Sequence, residues 1–273
     1  MTCLKLESQK AILKRQSYDF LRNRLYLCGM DKQLIGDSHR LGILGGGQLG
    51  RMLIQEAISY DIHVHIMENQ DDAPSSKMAT SFTKGDITNY YDVMAFGKNL
   101  DVLTVEIENV NIDALYDLEK QGVKVYPQPR VLEIIKDKGI QKEFYAKHNI
   151  PTSDFELFPE NPDANALAAK VPFVHKLRTG GYDGKGVQII KSEEDLKNCF
   201  TAPSLTEVLV PFEKELSVIV ARNERGETAT YPTVECEFNE ANLVAYLFSP
   251  ADVSKETEQK ATENVLFLLK QII

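Results

Sequence analysis

The sequence lacks four features that would each indicate a class of protein. It has no apolar run of about 18 residues, so it offers no membrane-spanning helix. Its four cysteines have no paired spacing, so neither a zinc site nor a disulfide framework is indicated. The basic residues are dispersed and the formal net charge is −9 at pH 7, which argues against a nucleic-acid surface. The first residues lack the apolar core of a secretion signal, and we expect a cytoplasmic location.

The length and composition suit two moderate domains or one large one, with enough hydrophobic residues for a real core. The chain has 273 residues, of which 43% are hydrophobic. Residues 1–39 form an extension whose first part has a helical pattern with many lysines and arginines. Three interpretations of it remain open: an amphipathic surface helix, a transit-like arm, or a stretch upstream of a natural start at Met30.

A strand, a glycine-rich turn and a helix follow the extension. Leu41 to Leu44 is a short apolar strand, residues 45–50 read Gly-Gly-Gly-Gln-Leu-Gly, and a helical period comes next. A second strand ends at Glu68, 18 positions beyond Gly50. This order is typical of a turn that places backbone N–H groups and a helix N-terminus at a phosphate. A tight turn without a ligand is equally compatible with it.

Two carboxylates follow the next predicted strand, residues 102–105. Glu106 and Glu108 would point the same way if the strand continues, at the carboxyl end of a parallel strand, where open α/β sheets bind ligands. A solvated strand end is nearly as plausible. A strand at 123–126 and the prolines after it predict that a doubly wound parallel sheet closes by residue 129.

Longer elements are predicted in the second part of the chain. Residues 130–148 read as one charged helix in which Lys136, Asp137, Lys138 and Lys142 form a solvated face. Residues 213–221 read as one long strand, and residues 260–273 as a helix.

The most informative stretch lies between two predicted short strands. Residues 180–186 contain four glycines, and Lys176, Arg178 and Lys185 add positive charge. Glycine lets backbone N–H groups approach a phosphate closely, and flanking cations hold its charge. An ordinary hairpin turn is the alternative, but two glycines would suffice for one. The combination favours an anion-handling loop.

Several segments in a fixed order resemble the N5-carboxyaminoimidazole ribonucleotide synthase family, the ATP-grasp ligases of purine biosynthesis. The segments are residues 45–52, 104–110, 137–142, 176–186 and 213–217. The resemblance covers about residues 40–273, and Gly-Gly-Tyr-Asp-Gly-Lys-Gly at 180–186 is its most specific part. It implies an α/β fold with a Rossmann-like pre-ATP-grasp domain over 40–129, followed by an incomplete α+β ATP-grasp domain over 130–273. A dinucleotide-dependent oxidoreductase would leave the second glycine loop unexplained.

The resemblance also implies a reaction. ATP phosphorylates bicarbonate to carboxyphosphate, which carboxylates the amine of aminoimidazole ribonucleotide beneath a lid that excludes water. Lys138 and Lys176 would contact the phosphates, the backbone at 207–210 the adenine, and Glu215 the ribose. The implied ATP-binding set is Lys138, Lys176, Gly181, Tyr182, Asp183, Gly184, Lys185, Gly186, Val187, Glu207, Val208, Leu209, Val210 and Glu215. Catalytic roles are implied for Tyr182, Asp183 and Lys185, and substrate contacts for Gln48, Leu49 and Glu106.

One departure from the family pattern bears on activity. Family members continue with a strand that provides acidic magnesium ligands, and this sequence has no such segment, so no metal ligand is assigned within it. Because Mg²⁺ would accompany ATP, we expect a truncated chain that is inactive alone. A non-catalytic nucleotide-binding or interaction remnant is the alternative. The expected partners are small molecules rather than nucleic acid or membrane, and a homodimer is expected at full length.

Overall fold

The computed structural model describes residues 39–181, 185–239 and 243–272. The first part is a parallel five-stranded sheet with the strand order β3-β2-β1-β4-β5. Its strands are β1 (Arg40–Leu44), β2 (His63–Glu68), β3 (Ser81–Lys84), β4 (Val102–Val105) and β5 (Lys124–Tyr126). The connecting helices are α1 (Gln48–Ile58), α2 (Tyr90–Gly97) and α3 (Ile112–Lys120).

The central strand of this sheet contributes to two cores, one on each face. Ile43 and Leu44 are adjacent in β1 and fully buried, and they belong to separate hydrophobic clusters. Successive side chains of a strand point to opposite faces, so helix α1 covers one side while α2 and α3 cover the other. The predicted doubly wound parallel sheet is therefore confirmed. Strand β3 was not predicted, because it is a mostly exposed edge strand without an apolar pattern.

The prediction of one helix over residues 130–148 is wrong. Two helices are present, α4 (Pro129–Lys136) and α5 (Lys138–Lys147). Asp137 separates them because its backbone is extended, and its side chain accepts hydrogen bonds from the N–H groups of Gly139 and Ile140. Asp137 is thus the N-cap of α5 rather than part of a solvated helix face.

Asp137 also connects α5 to the loop that follows strand β7 (Phe173–Leu177). Its two carboxylate oxygens accept from Arg178, from Nε at 2.9 Å and from Nη2 at 2.7 Å. The backbone N–H of Lys138 donates to the carbonyl of Arg178. Burial alone would raise the pKa of Asp137, but the hydrogen bonds from Arg178 and from the two helix amides hold that pKa below its ordinary value.

The second part contains a four-stranded antiparallel sheet with the order β6-β9-β7-β8. The strands are β6 (Phe155–Phe158), β7 (Phe173–Leu177), β8 (Val187–Ile190) and β9 (Ser204–Val208). Helix α6 (Ala164–Ala168) and a 3-10 helix (Glu193–Asn198) accompany it. Phe158, Leu167, Phe173 and Ile190 form its buried core.

The long strand predicted over residues 213–221 is also wrong. The chain forms β10 (Glu215–Ser217) and then β11 (Val220–Arg222), which belong to different sheets. Strand β10 pairs with β13 (Val234–Phe238), whereas β11 pairs with β12 (Thr228–Thr230), so the chain changes its partner between them. Strand β13 also pairs with the exposed strand β14 (Val244–Phe248).

The last described element is helix α7 (Lys255–Ile272), which begins five residues before the predicted start because Ser254 Oγ accepts from the N–H of Thr257.

Among the described residues, no helix combines the length and the apolar character that crossing a membrane would need. The parallel sheet ends at Tyr126 and the antiparallel sheet begins at Phe155. The division after residue 129 stays a prediction.

We expect Asp137→Ala to lower the free energy of unfolding by about 2 kcal/mol, because α5 loses its N-cap and Arg178 loses its partner. Asp163 caps α6 by accepting from the N–H of Asn165. Asp163→Ala is therefore a matched control that removes a helix cap, and it should cost about 1 kcal/mol. Urea unfolding measures both values, and equal losses would contradict the role of Arg178.

The cost of Asp137→Ala should also depend on pH. Since the folded-state pKa of Asp137 is lowered, the contribution of its carboxylate is fully present above the unfolded pKa of about 4. It is lost as the pH falls through the folded-state pKa. The difference in unfolding free energy between wild type and variant should therefore shrink in acid. A difference that stays constant or grows from pH 7 to pH 3 would refute this linkage.

Candidate functional site

A cavity of about 660 Å³ lies beside the glycine-rich hairpin. Residues 212–215 form one part of its lining, and residues 235–239 form another. Lys176 and Val187, which are register partners on β7 and β8, complete it. The structure therefore brings together three residues of the predicted ATP-binding set, Lys176, Val187 and Glu215, in one cavity.

The glycine-rich loop joins β7 to β8. The N–H of Leu177 donates to the carbonyl of Gly186, which closes the base of the loop. Gly180 and Gly186 have positive φ angles of 75° and 81°, a region that favours glycine. A Cβ on Gly186 would lie 2.8 Å from the Cα of Gly181, so the two ends of the loop touch through their backbones. This contact leaves no room for a side chain at Gly186.

Not every residue of the predicted lid can be placed. Tyr182, Asp183 and Gly184 lie outside the described residues. Gly181 lies at the base of the loop, and Lys185 is exposed next to Gly186. The predicted roles of the lid residues therefore stay predictions.

Lys176 belongs to a cluster of three charged side chains, Lys142, Glu207 and Lys176. One oxygen of Glu207 lies 2.6 Å from the Nζ of Lys176, and the other lies 2.7 Å from the Nζ of Lys142. Burial would raise the pKa of Glu207, but the hydrogen bonds and positive charges of the two lysines hold that pKa below its ordinary value. The prediction of a solvated face is wrong for Lys142, because only 8% of this residue is exposed.

Two further parts of the predicted ATP-binding set, Lys138 and residues 207–210, are outside the described lining of the cavity. Strand β9 ends at Val208, and none of the described residues that line the cavity comes from 207–210. The Glu207 side chain instead faces the two lysines, while Val208 and Val210 are exposed. Lys138 begins α5, where its backbone N–H is bonded to Arg178. Lys138 and residues 207–210 therefore do not line the cavity with Lys176, Val187 and Glu215, although the Glu207 side chain contacts Lys176.

Sequence reasoning missed one whole part of the cavity lining. Glu235, Cys236 and Phe238 come from β13, which was not predicted as a strand. Lys214 crosses between the two sides, since its Nζ lies 3.0 Å from Glu235 and donates to the carbonyl of Asp252. The alternation Val-Glu-Cys-Glu-Phe after Pro232 was the available signal for β13.

The first glycine turn lies at the carboxyl edge of the parallel sheet, and acidic side chains of the chain itself contact it. The N–H of Gly46 donates to Glu68 at 3.0 Å, and the carbonyl of Gly46 accepts from the buried Ser75 hydroxyl at 2.8 Å. A Cβ on Gly47 would lie 2.4 Å from a carboxylate oxygen of Glu106. Glu68 therefore accepts a hydrogen bond from an N–H group of the turn itself. In a dinucleotide enzyme the acidic residue at this position would bind the ribose, and the observed hydrogen bond does not favour that role.

The three predicted substrate residues lie around this turn. Gln48 and Leu49 are exposed at the first positions of α1, and Glu106 is half-buried behind the glycines. Strand β4 ends at Val105, so the alternation that would have aligned Glu106 with Glu108 does not apply. The structure brings Gln48, Leu49 and Glu106 to one edge of the sheet, and their contact with a substrate stays a prediction.

Two domain models match the chain over most of its length. Residues 38–136 match the ribonucleotide synthetase preATP-grasp domain, and residues 143–272 match the ATP-grasp domain. These matches agree with the parallel sheet and with the glycine hairpin that follows it. The predicted combination of a pre-ATP-grasp fold and an ATP-grasp fold is confirmed.

Individual relatives are similar over the same region. Phosphoribosylaminoimidazole carboxylase of Ogataea methanolica is 36% identical over 235 residues, covering 82% of this chain and 43% of that protein. The structure of carboxyaminoimidazole ribonucleotide synthase from Aspergillus clavatus complexed with ATP is 31% identical with a TM-score of 0.80, covering 86% of this chain and 63% of that one.

A second structure of the Aspergillus clavatus enzyme, in complex with ADP and 5-aminoimidazole ribonucleotide, is 28% identical with a TM-score of 0.76. It covers 86% of this chain and 63% of that one. The chain thus spans less than half the length of the curated relative and less than two thirds of each of the two solved chains.

Alanine substitutions of Gly180 and Gly186 should lower the free energy of unfolding by different amounts. Both glycines have positive φ, but a Cβ on Gly180 meets no atom of the described residues within 4 Å, whereas a Cβ on Gly186 meets the backbone of Gly181. We expect Gly180→Ala to cost about 1 kcal/mol of unfolding free energy from backbone strain alone, and Gly186→Ala about 2 kcal/mol or more. Urea unfolding measures both. Equal costs would show that the contact between the loop ends does not contribute.

Proposed function

Because the chain belongs to the N5-carboxyaminoimidazole ribonucleotide synthase family, we propose that it acts in the ATP-dependent carboxylation of 5-aminoimidazole ribonucleotide by bicarbonate. The proposal rests on the cavity in which Lys176 and Val187 of the glycine hairpin meet Glu215 of β10. The proposed partners are small molecules: ATP, bicarbonate and the aminoimidazole nucleotide.

The cavity has the chemical parts that a nucleoside triphosphate requires. Lys176 provides a positive charge at the base of the hairpin, where a phosphate also meets glycine N–H groups. Phe212 and Phe238 offer apolar surface for a purine base. Glu215 offers carboxylate oxygens to ribose hydroxyls. We therefore assign the phosphates to the Lys176 side of the cavity.

The proposed chemistry proceeds in two steps, a phosphoryl transfer and a carboxylation. A bicarbonate oxygen attacks the γ-phosphorus of ATP, the bond to the β-bridging oxygen breaks, and ADP leaves. The amine of the aminoimidazole nucleotide then attacks the carboxyl carbon of carboxyphosphate, inorganic phosphate leaves with the electrons of the broken C–O bond, and the proton lost from the amine nitrogen passes to that phosphate. Carboxyphosphate hydrolyses in water, so the hairpin must cover it.

The predicted roles of several residues extend this proposal. Tyr182, Asp183 and Lys185 would act from the loop on the reacting groups. Gln48, Leu49 and Glu106, at the edge of the parallel sheet, would hold the aminoimidazole nucleotide. Magnesium is expected with ATP, but the described residues do not bring three His, Cys, Asp or Glu side chains together as ligands. No step is therefore assigned to a metal.

ADP binding tests the cavity separately from turnover. We expect Lys176→Met to weaken ADP binding about tenfold or more, because a phosphate loses its direct cationic partner. Lys191→Met, at an exposed position after β8, is the matched control and should leave ADP affinity unchanged. Titration calorimetry measures both. Equal ADP affinity of wild type and Lys176→Met would refute the placement of the phosphates.

Phosphate release tests the reaction. The proposal predicts that any conversion of ATP to ADP and phosphate by this chain requires both bicarbonate and 5-aminoimidazole ribonucleotide. ADP binding without such release would favour the alternative of a non-catalytic nucleotide-binding protein. Release at the same rate without the aminoimidazole nucleotide would contradict the assigned substrate.

A further inference from the structure

We propose that Lys142 is a positioning residue that neutralises Glu207, so that the positive charge of Lys176 remains available to a phosphate in the cavity. This inference rests on the proposed nucleotide site. It concerns a residue on helix α5 that does not line the cavity.

The hydrogen bonds of Lys142 exclude direct contact with a ligand. Its ammonium group lies 2.7 Å from Glu207 Oε1, donates to Ser153 Oγ at 3.1 Å, and donates to Thr152 Oγ1. It also lies 5.8 Å from the ring centre of Phe155. An ammonium group has three donors, and three acceptors already use them. Lys142 therefore acts on the site only through its neighbours.

Glu207 transmits this effect because each of its oxygens contacts a different lysine. The Glu207 side chain is 11% exposed, as is that of Lys142, whereas the Lys176 side chain is 28% exposed and reaches the cavity. A buried carboxylate requires a positive partner. If Lys176 were the sole partner, the pair would be neutral and a phosphate would have to compete with Glu207 for that ammonium group.

The charges of the cluster show what Lys142 adds. Two lysines and one carboxylate give a net charge of +1, from two positive charges and one negative charge. Removing Lys142 leaves a net charge of zero. Coulomb interactions are strong in partly buried sites, where water screens them less than at the surface. Lys142 thus determines whether the half-buried Lys176 attracts an anion.

A purely structural role for Lys142 would have different consequences. A lysine that only holds α5 against the sheet affects stability, and it affects adenosine and ADP binding alike. A charge-balancing lysine affects only the part of the affinity that comes from phosphates. The ADP affinity that is lost with Lys142 should also be recovered when the charge of Glu207 is removed. The ratio of ADP affinity to adenosine affinity therefore separates the two roles.

The experiment compares Lys142→Met, Glu207→Gln and the double variant by calorimetric titration with ADP and with adenosine. We expect Lys142→Met to weaken ADP binding about tenfold while adenosine affinity is unchanged. The double variant should recover most of the lost ADP affinity. Lys147→Met, at an exposed position of the same helix, is the matched control and should bind ADP like wild type.

Three results would overturn the inference: unchanged ADP affinity in Lys142→Met, an equal loss for adenosine, or no recovery in the double variant. If Lys142→Met does not fold, the comparison of Glu207→Gln with the double variant tests the inference. With a neutral residue at position 207, Lys142 should be dispensable, and a tenfold weaker double variant would refute the inference. A wild-type chain that binds no ADP would overturn both this inference and the proposed function, whereas ADP binding indifferent to Lys142 would overturn this inference alone.

Discussion

The Glu207 carboxylate is the point on which the second part of the structure depends. It lies on β9, the strand between β6 and β7, and joins β7 and helix α5 through two lysines. A carboxylate so deeply buried would be unfavourable with one partner missing. The same ion pairs therefore hold three elements together and establish the charge at the cavity. In the proposed nucleotide site, stability and ligand recognition would therefore depend on the same atoms.

A second polar connection acts on the same helix. Asp137 caps α5 and also accepts two hydrogen bonds from the side chain of Arg178, the residue that follows β7. The N-terminus of helix α5 is thus connected to the hairpin through Arg178. Farther along the helix, Lys142 is connected to Lys176 of the hairpin through Glu207 of β9. Two such attachments restrict rotation of the hairpin against the helix more than either could alone. The position of Lys176 follows from both.

The absence of a glycine side chain has different consequences in the two glycine-rich turns. At Gly46 and Gly47, the absence of side chains lets Glu68 and Glu106 approach the backbone. The turn of the parallel sheet is therefore occupied by the protein's own carboxylates. At Gly181 and Gly186, the same absence lets the two ends of the hairpin touch. Both motifs are rich in glycine, and their surroundings decide the use.

The sequence alone determined what short-range patterns encode. The apolar runs and turns predicted β1, α1, β2 and β4, and the motif at 180–186 indicated both the hairpin and the family. These features depend on neighbouring residues. Only the tertiary structure placed Lys142 beside Glu207, separated β10 from β11, and brought β13 to the cavity. The burial of a lysine or the pairing of a strand depends on partners far along the chain, which local periodicity does not reveal.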